Sequence, residues 1–270
     1  MSTYSKMRTY KIFVIFHDKI DMSYFANADL DRFCFVNVNP ANRHRYPHLP
    51  VLNLFELPQF IPLGKWYTES EVIYNVYKHP QLSSGCDFIG FIHYDIDFRP
   101  VTQPFLEANL NRYELINFQP LPLQKDFDQR ILMDPAQPDT LQGPGKNCYL
   151  TILEDFNTFY RTGYSYQQYM GSDINLCSCF LMRQDKFKDM MRFAGSIIES
   201  GKLNAFDRQH KHRIQGGFME RYYAVWGLLK VPNALNFPLK HEFVQTRKNQ
   251  PFLRKLKSFL FSPRVGKGNS

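Results

Sequence analysis

Two aspartates that follow an apolar segment are the residues of this sequence with the clearest chemical potential. Residues 88–92 have the character of a buried strand, interrupted only by Gly90, and they lead into Asp95 and Asp97. Neighbouring carboxylates repel each other and resist removal from water, and a bound divalent cation removes both problems. Mg²⁺ and Mn²⁺ favour oxygen ligands, so the pair predicts a metal that holds a diphosphate. The competing interpretation is a solvated acidic turn.

The elements that must position these acids can be predicted from hydrophobic periodicity. The predicted strands are 10–16, 32–38, 87–92, 115–120 and 175–182, and the predicted helices are 66–77, 150–161 with a continuation over 164–170, 186–200 and 218–229. Thr68 and Glu71 suggest a capping box at the first helix. This order favours an α/β fold with a mixed central sheet flanked by helices, in which ligands bind at the carboxyl ends of strands.

Two long segments, 40–63 and 120–147, are rich in polar residues and proline and predict irregular connections. The first is expected to be functional, because long loops in compact domains usually are. The second is expected to be a flexible loop that shapes a binding site. No GxGxxG, Walker or GxSxG motif occurs. Their absence argues against a dinucleotide dehydrogenase, a P-loop NTPase and an α/β-hydrolase.

Charge is distributed unevenly along the 270 residues, whose formal net charge is +8. The segment 240–267 is strongly basic and contains a single acid, Glu242. We therefore expect one domain over 1–245 and a basic amphipathic tail over 246–270. The charge predicts an anionic partner, and the apolar face of the tail favours a peripheral membrane contact over a nucleic acid.

Five cysteines lack the spacing of a zinc site and predict reduced thiols in a cytoplasmic protein. Cys177 and Cys179 would share one face of the predicted strand 175–182. No stretch of the sequence has the apolar length of a signal core or a membrane span. His210 and His212 are best interpreted as an exposed polar loop.

Several segments together resemble one family. They are the KIFV strand followed by His17, residues 66–78 (WYTESEVIYNVYK), residues 87–94 (DFIGFIHY), the helical stretch 149–169, and residues 217–221 (GFMER). The pattern resembles the DUF4422-type family of glycosyltransferases, related to the GT-A fold, over about residues 10–240. Members of that family often carry basic residues after the HY pair, whereas this chain has Asp95 and Asp97.

The resemblance implies a GT-A-like (Rossmann-like) domain that transfers a hexose or pentose from a nucleoside-diphosphate sugar to a glycan or glycoconjugate acceptor. A UDP-sugar donor and Mn²⁺, or Mg²⁺, are expected. By analogy with GT-A enzymes, Asp97 would bind the metal directly, Asp95 would bind the metal or lie near the ribose or sugar, and His241 would be a third ligand.

An inverting transferase also needs a general base within hydrogen-bond reach of the acceptor hydroxyl. Glu220 resembles the acid that GT-A proteins place near the start of a late helix, and Asp173 is the second candidate. Glu220 could instead be a helix-dipole partner, and a retaining mechanism needs no such base.

The remaining candidates concern the nucleotide. Phe16 and His17 are expected beside its base or ribose, and Tyr94 beside the ribose. Candidate phosphate cations are Lys65, Arg183 and Arg221. The alternative function is a non-catalytic protein that binds glycans or anionic surfaces on a degenerate transferase fold.

Overall fold

A computed structural model of the chain describes residues 8–64, 66–123, 147–206 and 214–241. Lys65, His210, His212, most of the predicted loop 120–147 and the whole tail 246–270 lie outside the described residues. The domain boundary and the helix expected in the tail therefore stay predictions. In the described part of the chain, no helix combines the length and apolar character needed to cross a membrane.

Nine strands and five helices carry the described fold, together with short 3₁₀ turns. The strands are β1 (Tyr10–Phe16), β2 (Phe33–Asn37), β3 (Val51–Asn53), β4 (Phe88–His93), β5 (Leu115–Asn117), β6 (Pro120–Pro122), β7 (Asp173–Asn175), β8 (Phe180–Arg183) and β9 (Leu235–Asn236). The helices are α1 (Glu69–Lys78), α2 (Gln103–Asn109), α3 (Asn147–Tyr160), α4 (Gln184–Glu199) and α5 (Ile214–Lys230).

Seven strands form the central sheet in the order β3-β2-β1-β4-β8-β5-β9, and β6 pairs with β7 in a separate ribbon. Only β8 runs against its neighbours, pairing antiparallel with both β4 and β5. The carboxyl ends of β1, β2, β3, β4, β5 and β9 therefore meet at one edge. The predicted mixed α/β sheet is confirmed.

Alternation of side chains divides the core between the two faces of the sheet. In β1, Phe13 and Ile15 pack with α1, α3, α4 and α5 on one face, whereas Ile12 and Val14 pack with residues around α2 on the other. Gly90 in β4 reflects crowding between strands. A Cβ at Gly90 would lie 3.0 Å from a Leu181 side-chain carbon and 3.1 Å from the Phe180 carbonyl oxygen.

Several predicted elements need correction. The expected strand 175–182 is two strands, because Cys177 and Ser178 adopt left-handed φ angles of 61° and 51°. Strand alternation therefore does not place Cys177 and Cys179 on a common face. The expected continuation of α3 over 164–170 is also wrong, since the chain leaves the helix at Arg161, whose φ is 55°.

The helix starts also differ from expectation. Thr68 precedes α1 as predicted, but its φ is 53° and its side chain makes no capping hydrogen bond. Glu71 instead accepts the backbone N–H groups of Leu63 and Gly64. Helix α5 already includes Ile214, so a helix-dipole role for Glu220 is weak, because that effect is confined to the first turn.

Candidate metal centre

Three side chains meet at the carboxyl edge of the sheet. His93 ends β4, Asp95 lies in the turn that follows, and His241 comes from the end of the described chain. One ligand atom from each lies within 4.8 Å of the other two. The Nε2 atom of His241 is 3.4 Å from Oδ1 of Asp95, and both side chains are largely buried.

Backbone pairing brings His241 to this position. His241 forms an isolated antiparallel bridge with Ile96, and the Asp97 N–H donates to the Lys240 carbonyl over 2.9 Å. Just upstream, the Leu239 carbonyl accepts a hydrogen bond of 2.9 Å from the side-chain amide of Gln119. The C-terminal segment is thus held along the turn that carries Asp95.

The charge state of the cluster suits metal ligation. Burial lowers the pKa of His241 below the ordinary histidine value; the Asp95 carboxylate opposes this shift and His93 adds to it. A lowered pKa favours the neutral imidazole, which is the form that binds metals. Among the described residues, Nε2 of His93 and Oδ1 of Asp95 are buried and have no hydrogen-bond partner. Buried polar atoms without partners are rare, and a cation between them would satisfy both.

The donor set can be tested against the two predicted ions. Imidazole nitrogen suits transition metals, whereas Mg²⁺ prefers an all-oxygen shell. Two donors at about 2.1 Å from a shared ion are separated by roughly 3 to 4 Å. The ligand atoms of the three side chains lie within 4.8 Å of one another, so a small side-chain movement would bring them to these distances. Two histidines and one carboxylate therefore fit Mn²⁺ better than Mg²⁺.

Asp97 has a different partner. Its two carboxylate oxygens accept hydrogen bonds of 2.8 Å and 2.6 Å from Nε and Nη2 of Arg99. These bonds hold the pKa of Asp97 below its ordinary value. Asp97 was predicted to be the direct ligand. The observed cluster contains His93, Asp95 and His241, and Asp97 is not part of it.

Further carboxylates surround the cluster. Glu69, the first residue of α1, has an oxygen 3.8 Å from Nε2 of His93. Burial raises the pKa of the Cys177 thiol, and the charges of Glu220, Glu69 and Asp95 raise it further while Arg221 opposes them. The charges of Glu220 on α5, Glu69 on α1 and Asp95 therefore all act on Cys177.

Close packing between two helix starts places these acids. A Cβ at Gly216 would lie 2.4 Å from Oγ1 of Thr68, and the Gly216 N–H donates to the Trp66 carbonyl over 2.9 Å. Only a residue without a side chain permits this approach of α5 to the turn before α1. This packing brings the first turns of α5, which lead to Glu220, against the start of α1, which carries Glu69.

The predicted nucleotide contacts are divided in space. The His17 ring meets the Tyr94 ring edge-on, with centroids 5.2 Å apart, beside the carboxyl ends of β1 and β4. Phe16 is fully buried against Tyr46, so its ring belongs to the core. Lys65 lies outside the described residues.

The two described residues that were predicted to bind phosphate, Arg183 and Arg221, also lie in different places. Arg183 pairs with Phe88 at the amino end of β4 and forms ion pairs with Glu114 and Asp185. It therefore lies at the opposite edge of the sheet from His93, away from the candidate metal centre. Arg221 is buried beside Glu220, with Nη1 4.0 Å from a Glu220 oxygen, and donates to the Gly217 carbonyl.

The two candidate bases occupy different surroundings. The charge of Glu220 acts on Cys177, and the Glu220 side chain is 23% exposed. Asp173 is exposed at the start of β7, accepts a hydrogen bond from Asn236 and lines a cavity. Sequence reasoning did not select His93 or Glu69. His93 carried a usable signal, because it is a polar residue that ends an apolar strand directly before the acids.

Comparison with solved structures identifies the fold. The apo structure of WbbM, a bifunctional glycosyltransferase, matches with a TM-score of 0.60 and 16% identity, over 86% of this chain and 45% of the WbbM chain. The chain thus corresponds to less than half of WbbM. The Mn/GDP form of core-mannan synthase A (CmsA/Ktr4) from Aspergillus fumigatus matches at a TM-score of 0.32 and 12% identity, over 88% of this chain and 74% of that one.

Sequence comparisons give no further assignment. No protein-family model matches the chain, and no curated protein matches it. The resemblance to the DUF4422-type family therefore stays a prediction. The likeness to WbbM shows that this α/β fold is one that glycosyltransferases use.

Proposed function

We propose that this protein is a metal-dependent glycosyltransferase that moves a sugar from a nucleoside-diphosphate sugar to a glycan acceptor. The observation that carries the proposal is the His93–Asp95–His241 cluster, which lies at the ligand-binding edge of a sheet shared with WbbM. A fold alone does not define a function, so the weight rests on the cluster.

In this proposal His93, Asp95 and His241 hold Mn²⁺. The ion would act as a Lewis acid on the diphosphate leaving group. Asp95 replaces Asp97 as the direct carboxylate ligand, because Asp97 is already neutralised by Arg99. The Asp97–Arg99 pair then has a supporting role, since it fixes the turn that carries Asp95.

We assign the general base of an inverting reaction to Glu220. The charges of Glu220 and Asp95 both raise the pKa of the Cys177 thiol, and the Glu220 side chain is partly accessible to solvent. Asp173, the second candidate, lies among asparagines in a cavity instead. That setting suits binding of hydroxyl groups better than proton transfer next to a metal.

His17 and Tyr94 are the proposed contacts of the ribose or base, because their rings meet where β1 and β4 end. A UDP-sugar stays the favoured donor. Whether the transferred sugar is a hexose or a pentose is decided by the donor panel below.

The test is a thermal-shift and calorimetric panel of UDP, GDP and their sugars, each with Mn²⁺ or with EDTA. A ligand that binds the native state raises Tm by mass action. We expect a shift that requires both Mn²⁺ and one nucleotide, and that disappears in Asp95→Ala. No metal-dependent shift with any nucleotide would reject the transferase and favour a non-catalytic glycan-binding protein.

A further inference from the structure

A cavity of about 270 Å³ lies between the sheet and α5. Its lining residues come from β5, β7, β8, β9, α4 and the second half of α5. The lining residues that carry polar side chains are Asn117, Ser172, Asp173, Asn175, Tyr223 and Asn236. The volume is close to the lower end of the range of ligand pockets, about 300–1,000 Å³.

Hydrogen bonds hold the polar wall of this cavity in place. The Asn117 side-chain amide donates to Oδ1 of Asn236 over 2.9 Å, and the Asn236 amide donates to Oδ2 of Asp173 over 3.2 Å. Asn175 accepts a hydrogen bond of 3.0 Å from the Gln119 N–H through its Oδ1. These bonds fix the orientation of the polar side chains in the wall.

This network leaves specific atoms over for a ligand. Among the described residues, no protein partner takes Oδ1 of Asn117, Oδ1 of Asp173 or Nδ2 of Asn175. The first two are acceptors and the third is a donor. Asn117 and Asn175 are both buried residues that line the cavity. A ligand with several hydroxyl groups, each able to donate and accept, would satisfy all three.

The floor of the cavity is apolar. Leu115, Phe180, Met182 and Met190 are buried residues that line it, and Pro232 and Asn236 are exposed near its mouth. A sugar ring combines C–H surfaces with a rim of hydroxyls, so it can place carbon against such a floor and oxygen against the asparagines. A nucleobase or a phosphate would match this lining less well than a sugar ring. The lining residues include an aspartate and no Lys or Arg.

Two elements connect the cavity with the proposed catalytic groups. Asn175 comes two residues before Cys177, whose thiol is influenced by the charges of Glu220 and Asp95. On α5, Glu220 comes one turn before Tyr223 and Ala224, which line the cavity. The cavity therefore begins about one helical turn along α5 from the proposed base.

We propose that this cavity binds a sugar ring of the acceptor glycan, with Asn117, Asp173 and Asn175 as its hydrogen-bonding wall. The assignment to the acceptor rests on the proposed function, whereas the binding of a sugar ring does not. Asp173 then recognises acceptor hydroxyls, and Glu220 remains the base.

Saturation-transfer NMR on the full chain tests this with methyl glycosides of glucose, galactose, mannose, rhamnose and N-acetylglucosamine, in the presence and absence of Mn²⁺ and UDP or GDP. Asn175→Asp keeps the acceptor for the Gln119 N–H and removes the spare donor. Ala224→Leu fills the cavity without changing a hydrogen-bonding group. Asn111→Asp makes the same chemical change outside the cavity and keeps the acceptor for Arg8.

We expect at least one glycoside to bind the wild type, with affinity reduced about tenfold or more by Asn175→Asp and by Ala224→Leu, as for loss of a buried hydrogen bond or of the space itself. Asn111→Asp should bind like the wild type. Glycoside binding that is unchanged in both cavity variants would overturn the proposal, and so would a complete absence of binding. Glycoside binding without any Mn²⁺–nucleotide binding would instead reject the transferase and leave the sugar site standing.

Discussion

The two aspartates of one short turn differ in what surrounds them. The buried Asp97 carboxylate is paired through both oxygens with the partly exposed Arg99, two residues along the same turn. Asp95 lies among His93 and His241, with a buried oxygen that makes no hydrogen bond in the described structure. A satisfied carboxylate has little to gain from a cation, whereas an unsatisfied one gains a great deal. The neighbours of each carboxylate in the folded structure, more than its spacing in the sequence, therefore decide which aspartate is available to bind a metal.

The largest expected effect follows from removing Asp95. Asp95→Ala should lower Mn²⁺ affinity by about a hundredfold or more, because even supporting residues of metal sites change affinity by 10–100-fold. Calorimetric titration of Mn²⁺ measures it. Asp97→Asn is the matched control and should retain affinity within about tenfold. The reverse ranking of the two variants would break the comparison and restore Asp97 as the ligand.

The next effect concerns catalysis beside Asp95. Glu220→Gln should reduce kcat by about a hundredfold or more, the usual contribution of a general base. Mn²⁺ and nucleotide affinity should stay unchanged, because Glu220 is outside the three-residue cluster. The measurement is steady-state transfer with the donor that the thermal-shift panel selects. A normal kcat would remove Glu220 from the mechanism, and a matching loss in Asp173→Asn would transfer the role.

The packing of α5 against the turn before α1 gives a smaller effect. Gly216→Ala should lower the free energy of unfolding by about 1–3 kcal/mol, because the new Cβ would meet the Thr68 hydroxyl at 2.4 Å. Gly171→Ala is the matched control, since a Cβ there meets nothing within 4 Å. Urea unfolding of both variants measures the difference. Equal stability would show that the two helix starts are not tightly packed.

The smallest effect tests the Asp97 side directly. Asp97→Asn should lower Tm by roughly 2–4 °C at neutral pH, the change expected for one modest interaction in a domain of this size. Because the pKa of Asp97 is lower in the folded state, this stabilisation is present above the unfolded pKa of about 3.9 and is lost as the pH falls through the folded pKa. Unfolding in EDTA at pH 7 and at pH 3 measures it. A difference between wild type and variant that grows in acid would contradict this sign.

Strands and helices were predicted most accurately where the apolar residues of a segment follow a single period. Strand β1 was predicted with the bounds that the structure has, and α4 within two residues, because their apolar residues repeat with one clear period. Strands β3 and β9 were missed, since each is two or three residues long and only pairing with a neighbour makes it a strand. The break at Cys177 was missed because no glycine or proline announces the left-handed backbone there.

The candidate site was predicted in part. Asp95 and His241 were selected from the sequence, and the structure brings them within 3.4 Å of each other. Their roles as ligands stay predictions. The inclusion of His93 and the pairing of Asp97 with Arg99 could not be read from the sequence. Both depend on the direction that side chains take in the turn after β4.

The mixed α/β sheet and the edge at which its polar groups gather follow from the amino-acid sequence, because periodicity and the order of elements are local properties of the chain. Which of those polar groups have hydrogen-bond partners depends on contacts that form only in the folded chain. His241 reaches Asp95 through backbone pairing with Ile96, and Asn236 reaches Asp173 across the cavity. Such contacts join residues far apart in the chain, and their burial sets the charge and the hydrogen-bonding capacity that remain for a ligand.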